Sequence, residues 1–437
     1  MENKYIRAGR LRKYRQGLLP LLFLLELAML TYWKNLLGYY ASPLLLFLIS
    51  VAIGILPLLI FYNVQFEKNI LNFKTDRITY SALGLSTVVF ISLFFLIRGG
   101  LFNIFNSFPV TVHSSDIIPT VEVMCKRFLS GQTLYTNIED FGYYLPTTYL
   151  PFQWLPYLPA EYFHFDYRWI TVGIWFASVI ILILFLVRKN HKYYAFFVAL
   201  MPMFLLVAYI DKNTDVLGWT IEFMTAGFYA LLAISFFSNS VFFRAMMIVI
   251  CLLSRYSFAV YLPLYGLLYL YAEKPLKGFR LAGLSALLLA LILIPLVGKN
   301  WGELYEGFRY YSMSGLGEWK HFNEAGMPFH LFNGNGFASW FYTSDADKLQ
   351  SRFNLLREVH IFSLLGITTL LGIIYTSIRR KMDYRIFLFC GLKIYFAFFY
   401  GFIQVPYLYL FVVPLMWSVC ILMFTAYLSG LKPANTV

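Results

Sequence analysis

The stretch PLLLFLISVAIGILPLLIFY, residues 43–62, decides the fold of this chain. It carries no charged side chain, and it has the length of about 20 apolar residues that an α-helix needs to cross a bilayer. Similar runs recur along the whole sequence of 437 residues, which is 60% hydrophobic and only 13% charged. A water-soluble protein of this size has no core large enough to bury that much apolar surface. The sequence therefore predicts an all-α polytopic integral membrane protein.

The apolar segments predicted to span the membrane lie along the whole chain. They are at about residues 17–33, 43–62, 80–97, 169–187, 193–210, 217–237, 281–298, 358–377, 386–403 and 406–428. A further region, residues 245–272, is open to two interpretations. It is either one long helix or a hairpin of two short helices that meet at SRYSF, residues 254–258.

The placement of Lys and Arg decides between these interpretations, because such residues are enriched in cytoplasmic loops. With a cytoplasmic N-terminus and a hairpin, the inside segments are strongly enriched in Lys and Arg over Asp and Glu, whereas the outside segments are not. These inside segments are 1–16, 63–79, 188–192, 238–244, 273–280, 378–385 and 429–437. The hairpin gives about twelve spans. The net charge of +13 is then a topology signal, and no nucleic-acid partner is expected.

Two long segments, 98–168 and 299–357, are external in this topology. Both are rich in aromatic residues with interspersed charges, which is typical of helices lying along the membrane interface. Such long connections usually carry function. The predicted domains are residues 1–79, a basic N-terminus with two additional helices, and residues 80–437, the main membrane domain with both external segments.

The first external segment contains TVHSSDIIPTVEVMCKRFLSGQTLY, residues 111–135. It predicts a short helix that starts after Ser114 or Ser115 and ends at Gly131. Asp116 lies near its N-terminus, where the helix dipole favours an ionised carboxylate. An ionised carboxylate at the membrane surface is a candidate general base. The alternative interpretation is that Asp116 caps the helix.

Two charges within the apolar segments are further candidates. Arg255 lies at the tip of the predicted hairpin, and its planar guanidinium suits phosphate oxygens, although it also fits an anchor that snorkels to the interface. Glu222 lies early in the 217–237 span and either pairs with Arg255 or Lys212 or positions an acceptor substrate.

No cofactor is expected. A divalent metal would need three or four ligands, and the sequence supplies no such set.

Several short motifs follow Asp116 in a fixed order. They are FLSGQTLY (128–135), TTYLPFQWLPYLP (147–159), DKNTDVLG (211–218) and LLSRYSFAVYLPLYGLLY (252–269). This order resembles the GT-C superfamily of membrane glycosyltransferases, most closely family 87, the polyprenyl-phosphate-mannose-dependent mannosyltransferases of bacteria. The resemblance covers roughly residues 80–270 and implies a GT-C-like bundle of about twelve helices.

The resemblance assigns roles to particular residues. Asp116 falls at the position of the catalytic base, and Asn213 matches the Asn of a Gly-Gln-x-Asn motif in which Asp211 and Lys212 replace Gly-Gln. Arg255 replaces a Lys, and Gln404 stands where relatives often carry His. The residues expected to bind the donor phosphate or the substrate are Arg255, Lys212, Asn213, Glu222, Arg309 and Tyr149.

The resemblance also implies a reaction and a location. One sugar, a mannose-like hexose or a pentose, passes from a polyprenyl-phosphate carrier to a hydroxyl of a lipid or glycan acceptor, with inversion. The expected location is the bacterial cytoplasmic membrane, with the active site facing the periplasm and a role in cell-envelope glycan synthesis. The expected partners are the lipid-linked donor, the acceptor and membrane lipids.

Two other functions stay open. An O-antigen ligase or polymerase would use a lipid-diphosphate donor and typically has a long external loop late in the chain, as residues 299–357 are. A transporter or flippase for lipid-linked sugars would line a path at mid-membrane with charged groups and would show repeat symmetry.

Overall fold

A computed structural model describes residues 2–66, 80–186, 192–324, 326–430 and 435–436. These residues are predominantly helical, and seven of their helices are long and apolar enough to cross a membrane. The seven are Gly38–Ile60, Thr87–Ser107, Arg168–Leu186, Pro275–Val297, Ala346–Ile378, Tyr384–Gly401 and Leu408–Ser429. The chain is therefore an α-helical protein with the features of a membrane protein. Most of the predicted inside segments 63–79 and 188–192 lies outside the described residues.

The helices before residue 240 are α1 (Glu2–Thr31), α2 (Gly38–Ile60), α3 (Tyr80–Ser107), α4 (Ile117–Leu129), α5 (Pro151–Trp154), α6 (Leu158–Phe163), α7 (Arg168–Leu186), α8 (Lys192–Lys212), α9 (Thr214–Trp219) and α10 (Glu222–Phe237). Those after it are α11 (Val241–Ser254), α12 (Leu262–Ala272), α13 (Pro275–Val297), α14 (Trp301–Glu318), α15 (Ala338–Phe341), α16 (Ala346–Ile378), α17 (Tyr384–Gly401) and α18 (Val412–Ser429). Helices α10, α17 and α18 are buried on nearly all sides and form the centre of the bundle.

The region 245–272 is a hairpin, as the charge pattern predicts. Helix α11 ends at Ser254, and Arg255 is extended (φ −162°, ψ 124°) before a short 3-10 segment leads into α12. The guanidinium of Arg244, at the start of α11, lies 4.9 Å from the ring centre of Tyr269, near the end of α12. In one continuous helix these residues would be about 37 Å apart. The chain therefore reverses at Arg255, and the single-helix interpretation is wrong.

The predicted span 217–237 is wrong as one helix. Helix α9 ends at Trp219, and α10 begins only at Glu222. The hydroxyl of Thr220 donates to the carbonyl of Val216 at 2.6 Å and accepts from the Glu222 amide at 3.5 Å, so the side chain competes with the helical backbone. The break puts the Glu222 carboxylate at the start of a helix.

Two helices extend into segments that the sequence predicts as external loops. Helix α3 continues to Ser107, beyond the predicted end at residue 97, because Leu101 and Ile104 are buried against the bundle. Helix α16 begins at Ala346 rather than residue 358, because the Asp345 carboxylate accepts a hydrogen bond from the backbone amide of residue 347 and caps the helix. Both loops are therefore shorter than predicted.

The first two helices pack into the bundle. Helix α2 lies against α17, and α1 lies against α2 and α18. Where α1, α17 and α18 meet, the Lys393 ammonium donates to Glu26 Oε1 at 2.6 Å, and the Ser418 hydroxyl donates to Glu26 Oε2 at 2.5 Å. Both charged side chains are buried. The boundary at residue 79 stays a prediction, but Glu26 lies in the packed interior of the bundle.

The connections between helices gather at two ends of the bundle. At one end, strand β1 (Val64–Gln65) pairs antiparallel with strand β2 (Asn435–Thr436), and the Asn63 amide donates to the carbonyl of Lys381 at 2.7 Å. At the other end, the loop between α1 and α2 contacts the α8–α9 connection and residues 332–335. We call this second end the site end, because the candidate residues lie there, and the first the opposite end.

Candidate active site

Asp116 is the first candidate, and it does not cap helix α4. It directly precedes Ile117, the first residue of the helix, but its carboxylate makes no hydrogen bond to the first turn. Asp116 Oδ2 instead accepts from the Tyr143 hydroxyl at 3.1 Å. The neighbouring Ser115 hydroxyl donates to the carbonyl of Trp219 at 3.3 Å, which ties this segment to the break between α9 and α10. The carboxylate thus keeps capacity to accept further hydrogen bonds.

The environment of Asp116 changes its acidity in the direction opposite to the expected dipole effect. Burial raises the pKa of Asp116 above its usual value, the Tyr143 hydrogen bond opposes this rise, and the negative charge of Glu318 adds to it. A carboxylate with a raised pKa is a stronger base than an ordinary aspartate. This suits removal of a proton from a hydroxyl group.

Arg255 and Glu222 form the second element of the site. Of the partners that the sequence leaves open for Glu222, the structure selects Arg255, whose Nη2 contacts Glu222 Oε1. The Glu222 side chain is 3% exposed and that of Arg255 is 16% exposed. Two further polar atoms of the pair, Arg255 Nε and Glu222 Oε2, are buried without a hydrogen-bond partner among the described residues. Because buried polar atoms are normally paired, this pair is incomplete.

Other unpaired polar atoms lie nearby. The Tyr209 hydroxyl is buried without a partner in the part of the chain described, and its ring centre lies 5.4 Å from that of Phe223, the residue after Glu222. Both amide atoms of Asn335 are also unpaired there. Asn335 lines a cavity of about 20 Å³ together with Glu26 and Tyr400, a space for about one water molecule. The site end therefore gathers hydrogen-bonding groups that the described part of the chain does not satisfy.

The loop between α1 and α2 contacts two of the predicted substrate-binding residues, Lys212 and Asn213. The Lys34 ammonium donates to Asn213 Oδ1 at 2.6 Å. The Tyr32 hydroxyl donates to Asp211 Oδ2 at 2.9 Å, and the Lys212 ammonium lies 5.4 Å from the centre of the Tyr32 ring. Lys212 forms its ion pair with Asp211, at 3.5 Å, rather than with Glu222. Asp211 and Lys212 therefore both contact Tyr32.

Two predicted residues have other surroundings. The Arg309 side chain is 66% exposed, and its ion-pair partner is Glu306 on the same helix, at 3.8 Å. The carbonyl of Tyr149 accepts from the Tyr135 hydroxyl at 3.2 Å, and the Tyr149 ring packs against the hydrophobic core. Neither position gives a reason to place the side chain beside Asp116 or Arg255, so their substrate-binding roles stay predictions.

Sequence reasoning missed a cluster in the second long segment. Glu318 Oε2 lies 3.8 Å from His330 Nε2 and 3.9 Å from His321 Nδ1. Burial lowers the pKa of His330, and the negative charge of Glu318 opposes this. The negative charge of Glu318 also contributes to the raised pKa of Asp116. The length of the segment was the only signal of this cluster in the sequence.

Among the described residues, no three His, Cys, Asp or Glu side chains are arranged to hold a metal ion.

Comparison of the chain with protein-family models, with curated proteins and with solved structures gives no match. The geometry at the site end and the motif order are therefore the basis for a functional proposal.

Proposed function

We propose that this protein is a glycosyltransferase of the bacterial cytoplasmic membrane that uses a polyprenyl-phosphate-linked sugar. One observation carries the proposal. A partly buried carboxylate with a raised pKa, Asp116, shares one end of a helical bundle with Arg255, whose guanidinium has an unused donor. A base for a hydroxyl group and a cation for a phosphate are what transfer from a sugar phosphate requires.

In the proposed reaction, Asp116 takes the proton of the acceptor hydroxyl as its oxygen attacks the anomeric carbon. The bond from that carbon to the phosphate oxygen breaks, and polyprenyl phosphate leaves with the bonding electron pair. Attack from the face opposite the leaving group inverts the anomeric configuration. Arg255 stabilises the negative charge that grows on the phosphate. Its ion pair with Glu222 holds the guanidinium in place before the donor binds.

The proposed topology has about twelve spans: α1, α2, α3, α7, α8, α10, α11, α12, α13, α16, α17 and α18. Two of them, α11 and α12, have only 14 and 11 residues and form the short arms of the hairpin. The reversal at Arg255 supports the count. Basic residues 379–381 lie at the opposite end, which supports a cytoplasmic location for that end and a periplasmic location for Asp116. Helices α4 to α6, α14 and α15 then lie at the outer interface.

The test is transfer of a labelled sugar from defined polyprenyl-phosphate donors by the purified protein. We expect Asp116→Asn to lower the rate about 100- to 10,000-fold, the usual contribution of a general base, without lowering the unfolding temperature. Glu122→Gln is the matched control, because Glu122 lies on the same helix but pairs with Lys126 at the surface. Unchanged turnover in a folded Asp116→Asn protein rules out the proposed base. Transfer only from lipid-diphosphate donors selects the ligase alternative.

A transporter of lipid-linked sugars is the second candidate, because one observation favours it. Lys393 and Glu26 place a buried charge pair between helices α1 and α17, and charges inside the membrane commonly mark transport paths. Movement of a labelled lipid-linked sugar across proteoliposomes without any glycosidic bond formation selects this candidate. Sugar transfer that survives neutralisation of both Lys393 and Glu26 argues against it.

A further inference from the structure

Lys34 lies in a short loop that the sequence assigns to no site. The loop is fixed at both flanks of Lys34. The Tyr32 hydroxyl donates to Asp211, and the Asn35 side-chain amide donates to the carbonyl of Phe332 at 2.9 Å. Glycine at 334 (φ +79°) permits this contact, because a Cβ there would lie 2.4 Å from the Asn35 side chain. Lys34 is therefore held at the site end by two different parts of the chain.

The charge of Lys34 is less compensated than those of the other candidate cations. The predicted phosphate-binding cations already have carboxylate partners: Arg255 has Glu222, Lys212 has Asp211 and Arg309 has Glu306.

Lys34 contacts only a neutral group among the described ion-pair and hydrogen-bond partners, the side-chain oxygen of Asn213. Asn213 is fully buried, and its amide nitrogen donates to the carbonyl of Leu30 at 3.4 Å, so its oxygen faces Lys34. The negative charge of Asp215 acts on Lys34 without forming an ion pair. Burial lowers the pKa of Lys34, and a bound anion would stabilise its charged form.

We propose that Lys34 binds the phosphate group of the lipid-linked donor. An ammonium has three hydrogen-bond donors, and Asn213 takes one, so two remain for phosphate oxygens. The identification of the phosphate as that of the donor rests on the proposed function, whereas anion binding by Lys34 does not. Lys34 adds a cation without a carboxylate partner among the described ion pairs, at the same end of the bundle as Arg255, whose charge is shared with Glu222.

The test measures binding to the purified full-length protein with three probes: geranyl phosphate, inorganic phosphate and uncharged geraniol. We expect Lys34→Gln to bind both phosphates about tenfold more weakly, the loss of one charge-assisted hydrogen bond, and to bind geraniol as the wild type does. Lys34→Arg should keep most of the affinity, because it keeps the charge. Lys299→Gln removes an exposed cation at the same end and should change none of the three.

Several outcomes overturn the proposal. Equal affinity of the wild type and Lys34→Gln for geranyl phosphate does so, and so does a wild type that binds neither phosphate. If the difference appears only in nanodiscs of phosphatidylglycerol and vanishes in phosphatidylcholine, the anion is a membrane lipid and the donor assignment is wrong. Unfolding of Lys34→Gln leaves the comparison to Lys34→Arg and Lys34→Met, for which equal phosphate affinity also contradicts the proposal.

This binding experiment and the sugar-transfer assay together separate the role of Lys34 from the proposed glycosyltransferase function. If Lys34→Gln loses phosphate affinity but the wild type transfers no sugar from any donor, Lys34 is an anion site and the glycosyltransferase proposal falls. If Asp116→Asn abolishes transfer while Lys34→Gln binds the donor normally, the glycosyltransferase proposal stands and the role of Lys34 falls.

Discussion

Two buried ion pairs join helices of this bundle, and they differ in completeness. In the Glu26–Lys393 pair, each carboxylate oxygen has a donor, and the ammonium also donates to the carbonyl of Pro414 at 3.0 Å. In the Glu222–Arg255 pair, one carboxylate oxygen and the guanidinium Nε are buried with no partner among the described residues. The first pair lies within continuous helices. The second lies where α10 begins and α11 ends.

The difference separates a structural role from a functional one. A buried charge is costly unless hydrogen bonds satisfy it. Hydrogen bonds within the described part of the chain satisfy both carboxylate oxygens of the Glu26–Lys393 pair, but only one of those of the Glu222–Arg255 pair. Unused polar atoms at Glu222 and Arg255 therefore mark a place that a ligand or water completes.

The strongest test of the comparison removes one charge of the complete pair. We expect Lys393→Met to destabilise the fold by about 3–5 kcal/mol, because Glu26 is left buried and unpaired. Thermal unfolding in detergent measures this loss. Arg380→Met, which removes an exposed cation at the opposite end, should leave the unfolding temperature unchanged.

The double variant Glu26→Met/Lys393→Met completes this test. We expect it to regain most of the stability, because replacing a whole buried pair by apolar side chains of similar size is often neutral. We also expect it to keep sugar transfer. A double variant that folds well but transfers no sugar would show that this pair has more than a structural role.

The incomplete pair should respond differently. We expect Arg255→Ala to lower kcat/KM about 10- to 100-fold through lost hydrogen bonds to the phosphate, and Arg255→Lys to restore part of it. The double variant Glu222→Gln/Arg255→Gln should regain stability but not activity. Full activity in both Arg255→Ala and Arg255→Lys would contradict the phosphate role and make the two pairs equivalent.

The helices of this fold were largely predictable, because a bilayer demands long apolar runs and charge sidedness orders them. The hairpin at Arg255 was predicted from the placement of Lys and Arg in the loops alone. The break at Thr220 was not predictable, because threonine occurs within many helices and only its hydrogen bonds to Val216 and Glu222 show that it interrupts this one.

The candidate site was predictable only where one residue carried the signal. Asp116 and Arg255 stood out as charges at helix ends or within apolar segments. The partners of these residues come from distant parts of the chain. Lys34 and Asn213 are separated by 179 positions, and Glu318, which contributes to the raised pKa of Asp116, lies in the second long segment. Local patterns do not report such contacts.

The smallest expected effect concerns the hydrogen bond that Tyr143 donates to Asp116. A general base must be ionised, so activity falls as the pH drops through the pKa of Asp116. Burial has already raised that pKa, and the Tyr143 hydrogen bond lowers it. We therefore expect Tyr143→Phe to shift the acid limb of the kcat/KM profile to higher pH, because a hydrogen bond that stabilises the ionised carboxylate is lost. Tyr144→Phe is the matched control, because that ring contacts Tyr310 instead. A shift to lower pH, or an equal shift in both variants, would show that Asp116 does not set this limb.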